Sequence, residues 1–173
     1  MTKKAAVIIA VIGIAAAIYV HRRAGRHPVV SANLPVPAIT LTDLNGNALS
    51  LPGYHGKVVL INFWAAWCTP CRGEIPQFMA LQEKYGSRGL QTVGISLDDP
   101  ESALRDFCRE SRVNYPIVMG NQRIAETFGG VLGLPTTFLI GRDGRVRAKH
   151  EGETDFRKLE QEIADLLRSS PQN

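Results

Sequence analysis

Two cysteines of the chain, Cys68 and Cys71, stand three positions apart in the segment FWAAWCTPCR. The apolar run at 57–64, KVVLINFW, predicts a buried strand before them, and residues 69–85 carry apolar side chains at helical spacing after them. The pair is therefore predicted at the point where a strand ends and a helix begins. The free N–H groups and the positive dipole end of a helix start favour a thiolate at Cys68.

A thiol pair with this spacing can exchange disulfides. Cys71, one turn into the helix, can attack a mixed disulfide on Cys68 and close a ring. Pro70 suits the first helical turn, where no N–H is needed, and we expect Trp67 to cover the pair and exclude water. A structural disulfide more often links distant segments, and a zinc site needs further ligands, which the sequence does not offer near this motif. The pattern favours a redox-active dithiol without cofactor or metal.

The net charge of +4 on 173 residues is concentrated at the amino terminus. Residues 1–28 hold five basic residues and no acidic one, so they carry +5, and residues 29–173 carry −1. The body of the protein is therefore nearly neutral, and no RNA- or DNA-binding motif occurs in it. We predict that nucleic acid is not a partner.

An uninterrupted apolar run, AAVIIAVIGIAAAIYV, occupies residues 5–20. As a helix it would be about 24 Å long, against a hydrocarbon core of ~30 Å. A cleaved signal peptide is one interpretation. Arg22 and Arg23 follow the run as interfacial anchors would, which favours an uncleaved signal anchor. We predict an anchor at 1–23, a linker rich in proline and small residues at 24–37, and one domain at 38–173.

The rest of the chain predicts strands that alternate with helices. A turn signal at residues 45–47, Asn-Gly-Asn, predicts a hairpin between 38–42 and 48–51. Beyond the strand at 57–64, further strands are predicted at 90–97, 115–119, 136–140 and 145–150, and further helices after Pro100, near 121–128 and from Phe156. Helices that alternate with buried strands indicate an α/β sandwich around a mixed sheet.

The motif FWAAWCTPCRGEIP, followed later by GLPTTFLIGRDGRV, resembles the thioredoxin superfamily, and more narrowly the TlpA/ResA-like membrane-anchored thiol-disulfide oxidoreductases of bacteria. The resemblance covers residues 34–168. It implies an α/β thioredoxin fold with an N-terminal β-hairpin extension and an N-terminal transmembrane helix. It further implies a monomer in the cytoplasmic membrane with its catalytic domain on the periplasmic, extracytoplasmic side, because a cytosolic domain of this kind would hardly need a tether.

The resemblance also implies roles for individual residues. Cys68 is the expected nucleophile and Cys71 the expected resolving thiol. Pro135 matches the family's cis-proline, which faces the disulfide, and the backbone of Leu134 would pair with an extended substrate peptide. Contact with substrate is expected from Trp67, Pro70, Leu134, Pro135 and Thr136.

Glu74, three residues after Cys71, has two interpretations. It is either a favourable acid near a helix start or, as the resemblance implies, a partly buried catalytic carboxylate that tunes the cysteine pKa values or shuttles protons. Cytoplasmic thioredoxins carry an Asp where this chain has Asn62, and Asn cannot accept a proton as a base. Glu74 is the nearest candidate for that duty. Cys108 lies in a predicted helix, where a buried structural role is expected.

The leading hypothesis is a protein-disulfide reductase. The resemblance implies a membrane electron donor of the DsbD or CcdA type, and substrates such as apocytochrome c or copper-centre assembly proteins. A disulfide-forming oxidase stays open, as does a copper chaperone that holds Cu(I) on both thiolates, although SCO-type chaperones have C-x-x-x-C spacing. The peroxidatic pattern of peroxiredoxins, P-x-x-x-T-x-x-C, is missing, because Ile61 and Ala65 stand at its first two positions.

Overall fold

The computed structural model describes residues 34–97 and 100–169. The chain divides into two compact units, Met1–Val30 and Ser31–Asn173. The predicted anchor at 1–23 lies outside the described residues and stays a prediction. Within the described ranges, no helix is both long enough and apolar enough to cross a membrane.

A mixed five-stranded sheet forms the centre of the second unit, in the order β5-β4-β3-β6-β7. Strands β3, β4 and β5 are parallel to one another, and β6 is antiparallel to both of its neighbours. A separate antiparallel hairpin, β1 and β2, precedes the sheet. The strands are β1 (Thr40–Thr42), β2 (Ala48–Ser50), β3 (Val58–Trp64), β4 (Leu90–Ser96), β5 (Ile117–Met119), β6 (Thr136–Ile140) and β7 (Val146–Glu151).

Four helices connect and cover the strands. They are α1 (Thr69–Tyr85), α2 (Glu101–Glu110), α3 (Gln122–Thr127) and α4 (Phe156–Arg168), with short 3-10 turns at Pro52–Tyr54 and Gly86–Arg88. The crossovers from β3 to β4 and from β4 to β5 step in the same direction across the sheet, so their right-handedness puts α1 and α2 on one face. The predicted order of strands and helices and the predicted thioredoxin fold are confirmed.

Two apolar cores lie on opposite faces of β3. One contains Trp64 and side chains of α1, α2 and α4, and the other contains Phe63 and side chains of α3 and the hairpin. In the second core Phe63, Phe128 and Phe138 form an aromatic trio with ring centroids 5.2 to 5.8 Å apart. Every residue of β3 is buried, as expected for a central strand covered on both faces.

The hairpin turn follows its sequence signal. Asp43 Oδ1 accepts hydrogen bonds from the N–H groups of Asn45 and Asn47, and Gly46 has a φ of 85°, which glycine adopts without strain. The N–H of Leu44 donates to the carbonyl of Ile117, so the hairpin is tied to the edge strand β5. Side chains of the hairpin also belong to the second apolar core, so the hairpin covers one face of the sheet.

The segment that precedes the hairpin also contacts the sheet. The N–H of Val36 donates to the carbonyl of Gly144 at 2.8 Å, and Pro35 forms an isolated bridge with Arg145. Residues 34–37, the last part of the predicted linker, are thus joined to the turn between β6 and β7.

The sheet is tightly packed around Gly120, which follows β5, and a substitution there tests this packing. A Cβ there would lie 2.6 Å from Ile95 Cγ2 and 2.8 Å from the carbonyl oxygen of Ser96, so Gly120→Ala is expected to destabilise the fold by about 1–3 kcal/mol. Gly73, in the exposed first turns of α1, has open space around a new Cβ, so Gly73→Ala is expected to stabilise by about 0.5–1 kcal/mol. Urea unfolding of the oxidised proteins measures both changes, and equal stability of Gly120→Ala and the wild type would contradict the packing argument.

Candidate active site

Cys68 and Cys71 form a disulfide with their Cα atoms 5.3 Å apart. Cys68 is the N-cap of α1, in an extended backbone conformation, and its Sγ accepts a hydrogen bond from the N–H of Cys71 at 3.3 Å. Strand β3 ends at Trp64, and Pro70 lies in the first helical turn. The predicted position of the pair at a strand–helix junction is therefore confirmed, and the positive end of α1 faces Cys68 Sγ.

The two cysteines are buried to different extents, and Trp67, which precedes them, is exposed. Cys68 is 6% exposed and Cys71 only 1%, whereas Trp67 is 64% exposed. The space against the sheet is filled by Trp64, whose ring lies 5.3 Å from that of Phe107. Trp67, in the turn after β3, lies at the surface, and the expectation that it covers the pair and excludes water stays a prediction.

The peptide bond between Leu134 and Pro135 is cis. It ends the cis-proline loop, residues 129–135, which connects α3 to β6. Thr136 pairs with Phe63 in the antiparallel register of β6 and β3, so the loop lies at the end of β3 that leads to Cys68. The structure therefore brings Pro135 and the cysteine pair to the same end of the sheet.

The cis-proline loop is held by hydrogen bonds at its end. Thr136 Oγ1 donates to the carbonyl of Gly133 at 2.7 Å, and the N–H of Gly152 donates to the carbonyl of Pro135 at 2.9 Å. Thr136 is buried, so its side chain supports the loop from within, whereas substrate contact was expected of it. Leu134 is half-buried, and Leu132, which the sequence did not single out, is 93% exposed.

Glu74 is buried on the same face of α1 as Cys71, one turn further along. Residues three apart on a helix have Cβ atoms about 5–6 Å apart. Glu74 Oε1 accepts a hydrogen bond from the N–H of Thr154 at 2.6 Å, while Oε2 is buried without a hydrogen-bond partner among the described residues. Burial raises the pKa of Glu74; the Thr154 hydrogen bond acts against this, and the negative charge of Glu153 adds to it.

The β7–α4 loop, residues 152–155, was not predicted as part of the site. Backbone N–H groups of this loop contact two parts of the site. The N–H of Gly152 donates to the carbonyl of Pro135, and the N–H of Thr154 donates to Glu74 Oε1. Backbone donors carry no side-chain signal in a sequence. The available signal was Asp155, which caps α4 and thereby fixes the loop just before that helix.

Asn62 is buried beneath α1 and donates from Nδ2 to Thr137 Oγ1 at 3.1 Å. The two residues are partners in the register of β3 and β6. A neutral polar pair thus lies beneath α1, at the position where cytoplasmic thioredoxins carry an Asp. Glu74 is the one acidic side chain that is buried within the described ranges.

A disulfide at the start of a helix, with one cysteine slightly more exposed than the other, can be opened and closed again by exchange with a second thiol pair. Together with the mixed sheet and the cis-proline loop, this chemistry defines the class: the protein is a thioredoxin-fold thiol-disulfide oxidoreductase. The chain belongs to the AhpC/TSA family, whose pattern matches residues 32–149.

The chain is similar to proteins called thiol-disulfide oxidoreductase ResA. It is 34% identical to the one from Bacillus thuringiensis subsp. konkukian over 131 residues, 75% of each chain. It is 36% identical to the one from Bacillus subtilis over 118 residues, 68% of this chain and 65% of that one. A crystal structure of a thiol:disulfide interchange protein from Chlorobium tepidum superimposes with a TM-score of 0.73 at 27% identity, over 79% of this chain and 98% of that one.

Membership of the AhpC/TSA family does not bring the peroxidatic pattern with it. Ile61 and Ala65, at the positions of its Pro and Thr, are fully buried apolar side chains. The cysteine that the pattern would end on, Cys68, is instead closed into a disulfide with Cys71. The site therefore has the chemistry of a dithiol pair.

Glu74→Gln removes the buried charge and keeps an oxygen that can accept from Thr154. Because the folded-state pKa of Glu74 is raised, the folding stability of the wild type falls as pH rises from the ordinary value of 4.5 through the raised value. We expect Glu74→Gln to be the more stable protein at pH 7, with the difference vanishing below that ordinary value. In the reduced protein, loss of the nearby negative charge is expected to shift the titration of the Cys68 thiol to lower pH.

The control is Glu83→Gln, which neutralises an exposed acid on the same helix. Chemical denaturation across pH measures the stability, and alkylation rates of the reduced thiols measure the titration. Titration curves that coincide for Glu74→Gln and the wild type would exclude an electrostatic role of Glu74 at the cysteines.

Proposed function

We propose that this chain is a reductase of protein disulfides, held in the cytoplasmic membrane by residues 1–23 with its catalytic domain on the extracytoplasmic side. The observation that carries the proposal is the Cys68–Cys71 disulfide at the start of α1, one turn from a buried carboxylate. The apolar run at 5–20, with its basic flanks, supports the membrane anchor.

The proposed reaction has two exchange steps. The Cys68 thiolate attacks a disulfide of the substrate, so that an intermolecular S–S bond forms and one substrate thiolate leaves. The Cys71 thiolate then attacks Cys68 Sγ, which releases the second substrate thiol and closes the Cys68–Cys71 disulfide. Two electrons pass to the substrate. The exposures of 6% for Cys68 and 1% for Cys71 support this order, because Cys68 presents more surface to a partner.

The electrostatics around the pair support the reducing direction. Strong oxidants of this class owe their potential to a stabilised thiolate in the reduced form. Among the described residues, Cys68 Sγ has one amide donor, the N–H of Cys71, together with the helix dipole. An ionised Glu74, one turn beyond Cys71, opposes a thiolate. A less stabilised thiolate makes the dithiol a better reductant.

Apolar surface beside the pair supports a protein substrate. Trp67 and Leu132 are exposed large hydrophobic side chains, and Leu134 precedes the cis-proline. We propose that an extended segment of the substrate lies against them, with backbone pairing at Leu134. Apocytochrome c and copper-centre assembly proteins are the proposed substrates, a membrane protein of the DsbD or CcdA type is the proposed electron donor, and the proposed state is a monomer.

Cys71→Ser tests the proposal, because it blocks the second exchange step. The full-length variant expressed in cells is expected to accumulate mixed disulfides on Cys68, which non-reducing electrophoresis and mass spectrometry identify. The double variant Cys68→Ser/Cys71→Ser is the control and should trap nothing. No trapped partner above that control would contradict a specific reductase.

The direction of the reaction is tested on the trapped partner. In cells that lack this protein, a substrate of a reductase accumulates in its disulfide form, whereas a substrate of an oxidase accumulates as a dithiol. The copper-chaperone alternative predicts a different result, which is stoichiometric Cu(I) binding by the purified protein without reduction of insulin disulfides.

A further inference from the structure

A buried lysine lies beneath the start of the cis-proline loop. Lys149, on the edge strand β7, has a side chain that is only 7% exposed. Its Nζ forms an ion pair with Glu151 at 2.7 Å, donates to the carbonyl of Gly130 at 3.3 Å and lies 5.5 Å from the ring centroid of Phe138. The charge of a largely buried lysine side chain needs such partners, because an unpaired charge is costly to bury.

Lys149 reaches the loop at a pair of glycines, which have no side chains to pack. Gly129 and Gly130 have φ values of 82° and 90°, and the N–H of Gly130 donates to the carbonyl of Ala125 to end α3. A Cβ at either glycine would meet no atom within 4 Å. Phe128 and Val131, on either side of the two glycines, pack in the second apolar core. Between them, where the glycines offer no side chain, the hydrogen bond from Lys149 Nζ to the carbonyl of Gly130 is a further anchor of the loop.

The other end of the loop is fixed independently, by the hydrogen bonds to the carbonyls of Gly133 and Pro135. Between the two anchored ends stand Leu132, which is 93% exposed, and Leu134. The position of the Leu132 side chain therefore depends on both ends, and Lys149 contacts the end that follows α3.

We propose that Lys149 is a positioning residue for substrate binding, which acts by holding the Gly130 end of the cis-proline loop so that Leu132 and Leu134 are presented in a fixed arrangement. This rests on the proposed function, in which that loop contacts the substrate protein. Lys149 has no contact with Cys68, Cys71 or Glu74 among its partners, so the exchange chemistry itself does not depend on it.

Lys149→Met tests the proposal, because it keeps an unbranched apolar stem and removes the ammonium. The probe is a peptide that contains the sequence Cys-Ala-Ala-Cys-His, with a disulfide between its two cysteines. Loss of a charged hydrogen bond is expected to raise KM for this peptide about threefold or more, with kcat unchanged. The rate at which dithiothreitol opens the Cys68–Cys71 disulfide should also be the same as in the wild type. Lys149→Arg keeps a charged donor, so its KM for the peptide should match that of the wild type.

Lys84→Met is the matched control. Lys84 also forms an ion pair, with Glu160 at 2.6 Å, and also lies over an aromatic ring, that of Tyr85 at 5.3 Å, but its side chain is 60% exposed on the last turn of α1. The control removes the same charge, so it accounts for any long-range attraction of the peptide. Its KM should match that of the wild type.

Amide hydrogen exchange of residues 130–134 gives a readout that needs no substrate. Exchange there should be faster in Lys149→Met than in the wild type and in Lys84→Met. An unchanged KM together with unchanged loop exchange in Lys149→Met would overturn the proposal; if this variant does not fold, Lys149→Gln makes the same comparison. A wild-type protein that reduces no peptide would overturn the proposed function, while the exchange rates would still decide whether Lys149 holds the loop.

Discussion

The burial of β3 on both of its faces is the constraint on which the rest of the structure depends. Its seven residues are all buried, with Trp64 packed on one side and Phe63 on the other. A strand that is covered on both faces cannot slip by one residue without moving every side chain into the opposite core. Its carboxyl end is therefore fixed, and so is Cys68, which follows four residues later as the N-cap of α1.

The same burial makes every polar group beneath α1 matter energetically. Asn62 and Thr137 satisfy each other as a neutral pair, but Glu74 has a partner for only one of its oxygens. An ionised Glu74 is thus incompletely compensated, and burial raises its pKa above the ordinary value. Because Cys71 lies one helical turn away, the protonation of Glu74 is linked both to folding and to the charge of the thiols.

Much of the fold and the central pair could be predicted from local patterns. Periodicity located β3 and α1, the Asn-Gly-Asn turn located the hairpin, and the resemblance of Leu-Pro-Thr-Thr pointed to the cis-proline. The exposure of Trp67 could not be predicted, because this residue stands in the turn after β3, where periodicity gives no signal. The hydrogen bond from the N–H of Thr154 to Glu74 joins positions that are 80 residues apart in the chain, so no local pattern reveals it.

Lys149 was missed for a related reason. The sequence of β7, VRAKHE, has Lys149 among other charged residues, which indicates an exposed edge strand. Only the fold shows that the Lys149 side chain contacts the cis-proline loop. The two ends of that loop are held by different parts of the protein. The β7–α4 loop binds both Pro135 and Glu74, so under the proposed function we expect a change there to alter recognition and thiol chemistry together. The partners of Lys149 include neither Glu74 nor the cysteines, so we expect a change at this position to alter substrate recognition without altering the exchange reaction.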